Sequence, residues 1–183
     1  DLSGWQIEGV NFVFPGGSVL PALSYGLIVK NDTAFRAHYG SGNFIMGQYS
    51  GSLANEGETI TLKRVNGSSA SRVSYQNGGE WSGDANGQGY TLGLIRTSAD
   101  PSLAACWAPS LTIDGTPGAI NTLNNDWLLT NQAGCTDSVA VGADGNSTGL
   151  ASTGEGYRVI MTGGIVLIAV ASVALINRKL YLQ

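Results

Sequence analysis

From Val159 to Ile176 the chain reads VIMTGGIVLIAVASVALI, eighteen residues without a charge. As a helix such a run spans about 27 Å, close to the hydrocarbon thickness of a bilayer. A core helix of a water-soluble domain seldom needs apolar residues on every face, so the run predicts a single transmembrane helix. A cleaved C-terminal sorting signal, which also joins an apolar stretch to a short basic tail, is the rival reading. Tyr157 and Arg158 flank one end of the run, and Asn177, Arg178, Lys179 and Tyr181 flank the other. Aromatic rings and long cations favour such positions, and the acid-free basic tail predicts a cytoplasmic C-terminus with the first 158 residues outside. The expected span is 157–177 and the expected tail 178–183. Gly163, Gly164, Ala171, Ser172 and Ala174 fall on one half of the helical wheel, a surface that lets another helix approach closely. Gly and Ala are also simply common in spanning helices, and no GxxxG is present. The run carries no ionisable side chain, so it offers no ligand for haem or pigment and no proton relay.

The outer part is acidic. Up to Arg158 there are thirteen acids and seven Lys or Arg, a net of −6, whereas the tail adds two cations. Nucleic-acid binding depends on a basic footprint, so DNA and RNA are not expected partners. Twenty-seven glycines, with only 12% of residues charged, suit a chain of many tight turns.

Strand-like runs recur at Trp5 to Glu8, Phe12 to Phe14, Tyr25 to Lys30, Phe44 to Met46, Glu58 to Val65, Ser71 to Gln76 and Tyr90 to Ile95. Val65-Asn66-Gly67-Ser68 between two of them predicts a type I′ hairpin, with positive φ at both Asn66 and Gly67. Asn31 or Asp32 can cap a short helix over Thr33 to Tyr39 that Gly40 ends. Seven strands and one helical turn predict an all-β sandwich. Cys106 and Cys135 lie in Gly/Asn/Ser-rich surroundings without CxxC spacing. In an oxidising compartment their disulfide would close a loop of about 30 residues, worth roughly 3 to 4 kcal/mol by the chain-entropy argument. The competing reading is two unrelated thiols, one buried beside Trp107.

Six blocks carry a family resemblance. They are Asp1-Leu2-Ser3-Gly4-Trp5 with Phe12-Val13-Phe14-Pro15-Gly16-Gly17-Ser18-Val19-Leu20, then Ala34-Phe35-Arg36-Ala37-His38-Tyr39-Gly40, then Ser50-Gly51-Ser52-Leu53-Ala54-Asn55-Glu56-Gly57-Glu58-Thr59-Ile60-Thr61-Leu62, then Val73-Ser74-Tyr75, Gly89-Tyr90-Thr91-Leu92 and Gly115-Thr116-Pro117-Gly118-Ala119-Ile120-Asn121. In this order, residues 1–121 resemble the lamin-tail domain as it occurs in bacterial exported proteins. The resemblance implies an immunoglobulin-like β-sandwich that binds or braces and has no active site of its own. Members of that family usually begin with one or two further strands, so an incomplete record, a partner strand completing the sheet, or a short variant is expected here. Residues 122–156, ending in VGADGNSTGLASTGEG, are expected to form a Gly/Ser-rich spacer whose first half the disulfide pins back to the sandwich.

Signals for chemistry are weak. Gly145-Asn146-Ser147-Thr148-Gly149 fits GxSxG without the strand-turn-helix context, and His38, the one histidine, is expected to be a solvated side chain. No catalytic residue or cofactor is therefore expected. Asp84 and Asn86 are weak candidates for a loop calcium site, with Glu80 and Asp144 also in loops, but EF-hand spacing is missing. Sequons begin at Asn31, Asn66 and Asn146 and would matter in a eukaryotic secretory route. Trp81 and Trp107 suggest either a contact patch or, more commonly in a sandwich, core.

Two functions from different classes remain. One is an accessory subunit, bracing the outer face of a larger membrane complex such as a respiratory or photosynthetic one, with other membrane-protein subunits and the bilayer as partners. The other is a free-standing surface or envelope module for adhesion or ligand capture.

Overall fold

The computed structural model describes residues 1–137, and the expected span and tail, with the helix-packing set Gly163, Gly164, Ala171, Ser172 and Ala174, lie outside the described residues. Among the described residues no helix is long and apolar enough to cross a membrane. The fold is β-rich, as the turn-dense sequence leads one to expect.

Alternation places the first strand. In β1 (Gln6–Glu8) Ile7 points inward at 1% exposure while its neighbours face solvent. β2 (Phe12–Val13) pairs antiparallel with it, Gln6 opposite Val13. On its other side β1 pairs antiparallel with β5 (Gly57–Lys63), which sets Ile7 against Leu62. β5 pairs in turn with β6 (Ser69–Gln76), giving a four-stranded sheet in the order β2-β1-β5-β6. Ile60 faces Val73 across that last pair and both are buried. The strand nearest the first block is therefore flanked on both sides, and the sheet ends in β2 and β6 rather than in an open β1.

β3 (Leu27–Val29) and β4 (Ile45–Gln48) form a two-stranded parallel sheet. Parallel neighbours need a crossover, and α1 (Asp32–Tyr39) supplies it. Asn31 is the cap: its side chain accepts from the Ala34 N–H at 2.9 Å, and Gly40 ends the helix at φ 81°. Phe35 turns inward onto Leu27 and Val29, with Tyr39 and Ile45 packed beside them. The aromatic stack of Phe35 on Tyr39, 4.6 Å between centroids, follows from their i,i+4 spacing.

β7 (Leu92–Leu94) and β8 (Trp107–Pro109) form the third sheet, antiparallel and buried along both strands. Its Leu92, Leu94 and Trp107 share one core cluster with Ile7, Leu62 and Val73 of the first sheet and Ile28 of the second. β8 carries too little alternation to be read in advance as a strand. Trp81 and Trp107 are both buried, with ring centroids 6.1 Å apart, so they are core and not a contact patch.

Two local expectations are corrected. At the β5–β6 hairpin Gly67, at φ 82°, takes the positive angle and Asn66 does not. The Gly67 N–H donates to the Arg64 carbonyl and the Arg64 N–H to the Ser68 carbonyl, each at 2.9 Å, which is a three-residue loop rather than a type I′ turn. The Asn66 side chain instead accepts from the Ser68 N–H at 3.0 Å and the Ser68 hydroxyl at 2.7 Å, an Asx turn that competes with the left-handed conformation. Second, folded structure continues past residue 121. Residues 122–137 contain α2 (Asn125–Asn131) and a 3-10 turn at Gln132–Gly134, so this stretch is not spacer. Asn124 caps α2 by accepting from the Trp127 N–H at 3.1 Å, an N-cap hidden in an Asn-rich run.

Candidate functional site

The described chain ends in a fastening. Cys106 and Cys135 are bonded, with Cα atoms 4.7 Å apart across 29 residues of sequence, and the reading of two unrelated thiols is set aside. Cys106 is wholly buried at the end of a 3-10 turn, next to Trp107. That ring is pinned from the other side, because its Nε1–H donates to the Pro101 carbonyl at 3.0 Å. The disulfide thus joins Cys135 to the buried core beside Trp107.

Backbone and charge contacts repeat the connection just beyond it. The Asp100 N–H donates to the Thr136 carbonyl at 2.9 Å, and Ala99 and Asp137 form an antiparallel bridge. Arg96 Nε reaches Asp137 Oδ1 at 2.8 Å, and the Ser98 hydroxyl donates to the same oxygen at 3.0 Å. Those hydrogen bonds, Arg96 first and Ser98 second, hold the Asp137 carboxyl below its usual range, with a smaller opposing push from desolvation. The segment 96–100 acts as a socket for 135–137. No sequence signal marked Arg96, Ser98 or Asp137, since their partnership spans a separation that no local pattern encodes.

A second polar cluster ties α1 to the loop that follows β8. His38 is exposed, as expected of a solvated side chain, and its Nε2 lies 3.0 Å from Asp114 Oδ2. The Tyr39 hydroxyl donates to the Asp114 carbonyl at 3.3 Å. Burial, followed by the charge of Asp114, raises the Tyr39 phenol above its ordinary value, so it remains a donor throughout the physiological range. Asp114 itself sits at φ 71°, a conformation Asp tolerates better than most residues. The Tyr75 phenol is likewise raised, by burial and then by its bond to Glu58, and it also donates to the Ala54 carbonyl at 2.7 Å.

Of the weak metal candidates, Asp84 lies in the 3-10 turn Gly83–Ala85 and Asn86 is the residue that caps it. Ser82 Oγ accepts from the Asp84 N–H at 3.3 Å, and the Asn86 N–H donates to the Gly83 carbonyl at 2.9 Å. Among the described residues no three His, Cys, Asp or Glu side chains gather as a metal site would require. Asp144, Asn146 and the GxSxG serine Ser147 lie outside the described residues.

No family model, no curated protein and no solved structure matches this chain.

Proposed function

We propose that the chain is a non-catalytic, membrane-anchored structural protein whose outer domain braces a larger membrane-protein complex as a single-span accessory subunit. In this reading residues 1–121 are a lamin-tail-like, immunoglobulin-like β-sandwich outside the cytoplasm, the helix over 157–177 is the anchor, and its small-residue half meets other subunits. A respiratory or photosynthetic assembly is a suitable host. The sharing of one core by three sheets supports the sandwich. The parallel β3–β4 pair, an addition to purely antiparallel sandwich pairing, qualifies the likeness.

The observation that carries the proposal is the double fastening at residues 135–137, on the sequence side that leads, after twenty-one further residues, to the eighteen-residue apolar run. A domain that must hold a fixed attitude to its anchor benefits from a covalent and an electrostatic grip at that point. Native membranes solubilised in mild detergent and run on a native gel test this. The chain should migrate in one large stoichiometric complex; migration alone near its own mass would refute the accessory-subunit reading.

The Gly/Ser-rich composition of residues 142–156 favours the second reading, a surface or envelope tether for adhesion or ligand capture, because such compositions suit reach. Protease cleavage within 142–156 in native membranes would support it, and full protection would oppose it.

A further inference from the structure

Three Asn-Gly pairs lie among the described residues, at Asn66-Gly67, Asn77-Gly78 and Asn86-Gly87. Glycine has no Cβ to keep its backbone nitrogen away from the asparagine side chain before it, so each pair is able to close on itself. In that step the glycine nitrogen bonds to the asparagine Cγ and the Cγ–Nδ2 bond breaks. Ammonia leaves, carrying the proton that the backbone nitrogen gave up. Water then opens the cyclic succinimide at one of its two carbonyls. The product is aspartate, or isoaspartate, in which the main chain runs through the former side chain. Nothing is oxidised or reduced, and water is the one co-reactant.

All three asparagines are exposed, so access to water does not separate them. Hydrogen bonding does. The attacking nitrogen must release its proton, and a proton held on a carbonyl is harder to release. The Gly67 N–H donates to the Arg64 carbonyl at 2.9 Å, and the Gly87 N–H to the Ala85 carbonyl at 3.2 Å. Surrendering one such bond costs about 1 kcal/mol, which is about fivefold in rate. Asn66 is restrained further, because its Oδ1 accepts from the Ser68 N–H and hydroxyl while the β5–β6 ladder closes the loop from both sides. Asn77 has neither restraint. It follows Gln76, the last residue of β6, and among the described residues no hydrogen bond holds its side chain or the Gly78 N–H. The space around Gly78 is open as well, since a Cβ placed there would meet nothing within 4 Å.

We infer that Asn77 is a self-modification site of the folded chain, converted by water to aspartate and isoaspartate ahead of Asn86, with Asn66 slowest. The consequence reaches the core. Isoaspartate inserts one extra main-chain carbon directly before Gly78, whose carbonyl accepts the Trp81 N–H at 3.3 Å, and the buried Trp81 packs against Trp107. The test incubates the full chain in detergent micelles in mildly alkaline heavy-oxygen water, with a urea-unfolded sample alongside, and follows the three peptides by mass spectrometry. In the folded chain Asn77 should convert roughly fivefold faster than Asn86 and faster again than Asn66, one released hydrogen bond setting the scale. In urea the three rates should converge, because the same dipeptide is then free at each site. Gly78→Ala, whose methyl group has room in the fold, should slow Asn77 severalfold without lowering the urea midpoint. As isoaspartate accumulates, tryptophan emission should move to longer wavelength as the Trp81 corner loosens. Equal rates at the three sites in the folded chain overturn the inference, as does an Asn77 that stays intact while the urea sample converts. Asn66 converting first would show that the Ser68 donors activate its carbonyl rather than restrain it, and would overturn the assignment to Asn77.

Discussion

Cys106 and Cys135 stand 29 residues apart in sequence, and their bond joins the fully buried Cys106 to the end of the 3-10 turn at Gln132–Gly134. Closing a loop of that size stabilises mainly by restricting the unfolded chain, by roughly 3 to 4 kcal/mol. The double substitution Cys106→Ser with Cys135→Ser is expected to lose about that much in urea unfolding of the full chain in micelles. A change under about 1 kcal/mol would mean that the unfolded chain is already compact around this loop.

Trp107 tests the core beside the disulfide. Its ring is 1% exposed and its N–H is used. Trp107→Ala should cost about 3 to 5 kcal/mol, the range for deleting a buried aromatic. Trp107→Phe should cost less but not nothing, because the Pro101 carbonyl loses its donor. Denaturant midpoints at constant slope would check both.

Asp137 gives the pH dependence. Its carboxyl is held below the ordinary aspartate value of about 3.9, so its contribution is fully present above that value and is lost as pH falls through the lowered one. The pair is 42% and 61% exposed on its two sides, so screening limits its worth to no more than about 0.5 kcal/mol. A carbon-detected NMR titration should place Asp137 below the other exposed aspartates. Arg96→Met should return most of the difference, and a titration unmoved by that substitution would remove Arg96 as the cause.

The hairpin distinguishes two turn geometries. Because Gly67 alone of the Asn-Gly pair takes positive φ, Gly67→Ala should cost about 1 to 2 kcal/mol, the left-handed penalty for an L-residue. Asn66→Gly, which would be nearly neutral or favourable in a type I′ turn, should destabilise, because it removes the two bonds to Ser68 and adds backbone freedom to the unfolded chain. Thermal melting of the two variants decides between them.

What the sequence determined alone was what short-range chemistry encodes. Turn density predicted a β-rich fold, and the strand-like runs were legible as short stretches between turns. Asn31 or Asp32 at one end and Gly40 at the other bounded α1 because capping needs only neighbours three or four residues away, and the structure uses Asn31. The charge-free run from Val159 to Ile176 is likewise a pattern of consecutive residues, and the span proposed for it lies outside the described residues. Tertiary structure decided the rest. Asn66 takes no positive φ because its side chain bonds Ser68, β8 is a strand because Leu92 and Leu94 offer it an edge, and Arg96 meets Asp137 beyond the end of the β7–β8 ladder. Each of these is a contact between distant positions, and its stability arises from closing a loop that the linear order does not foreshadow.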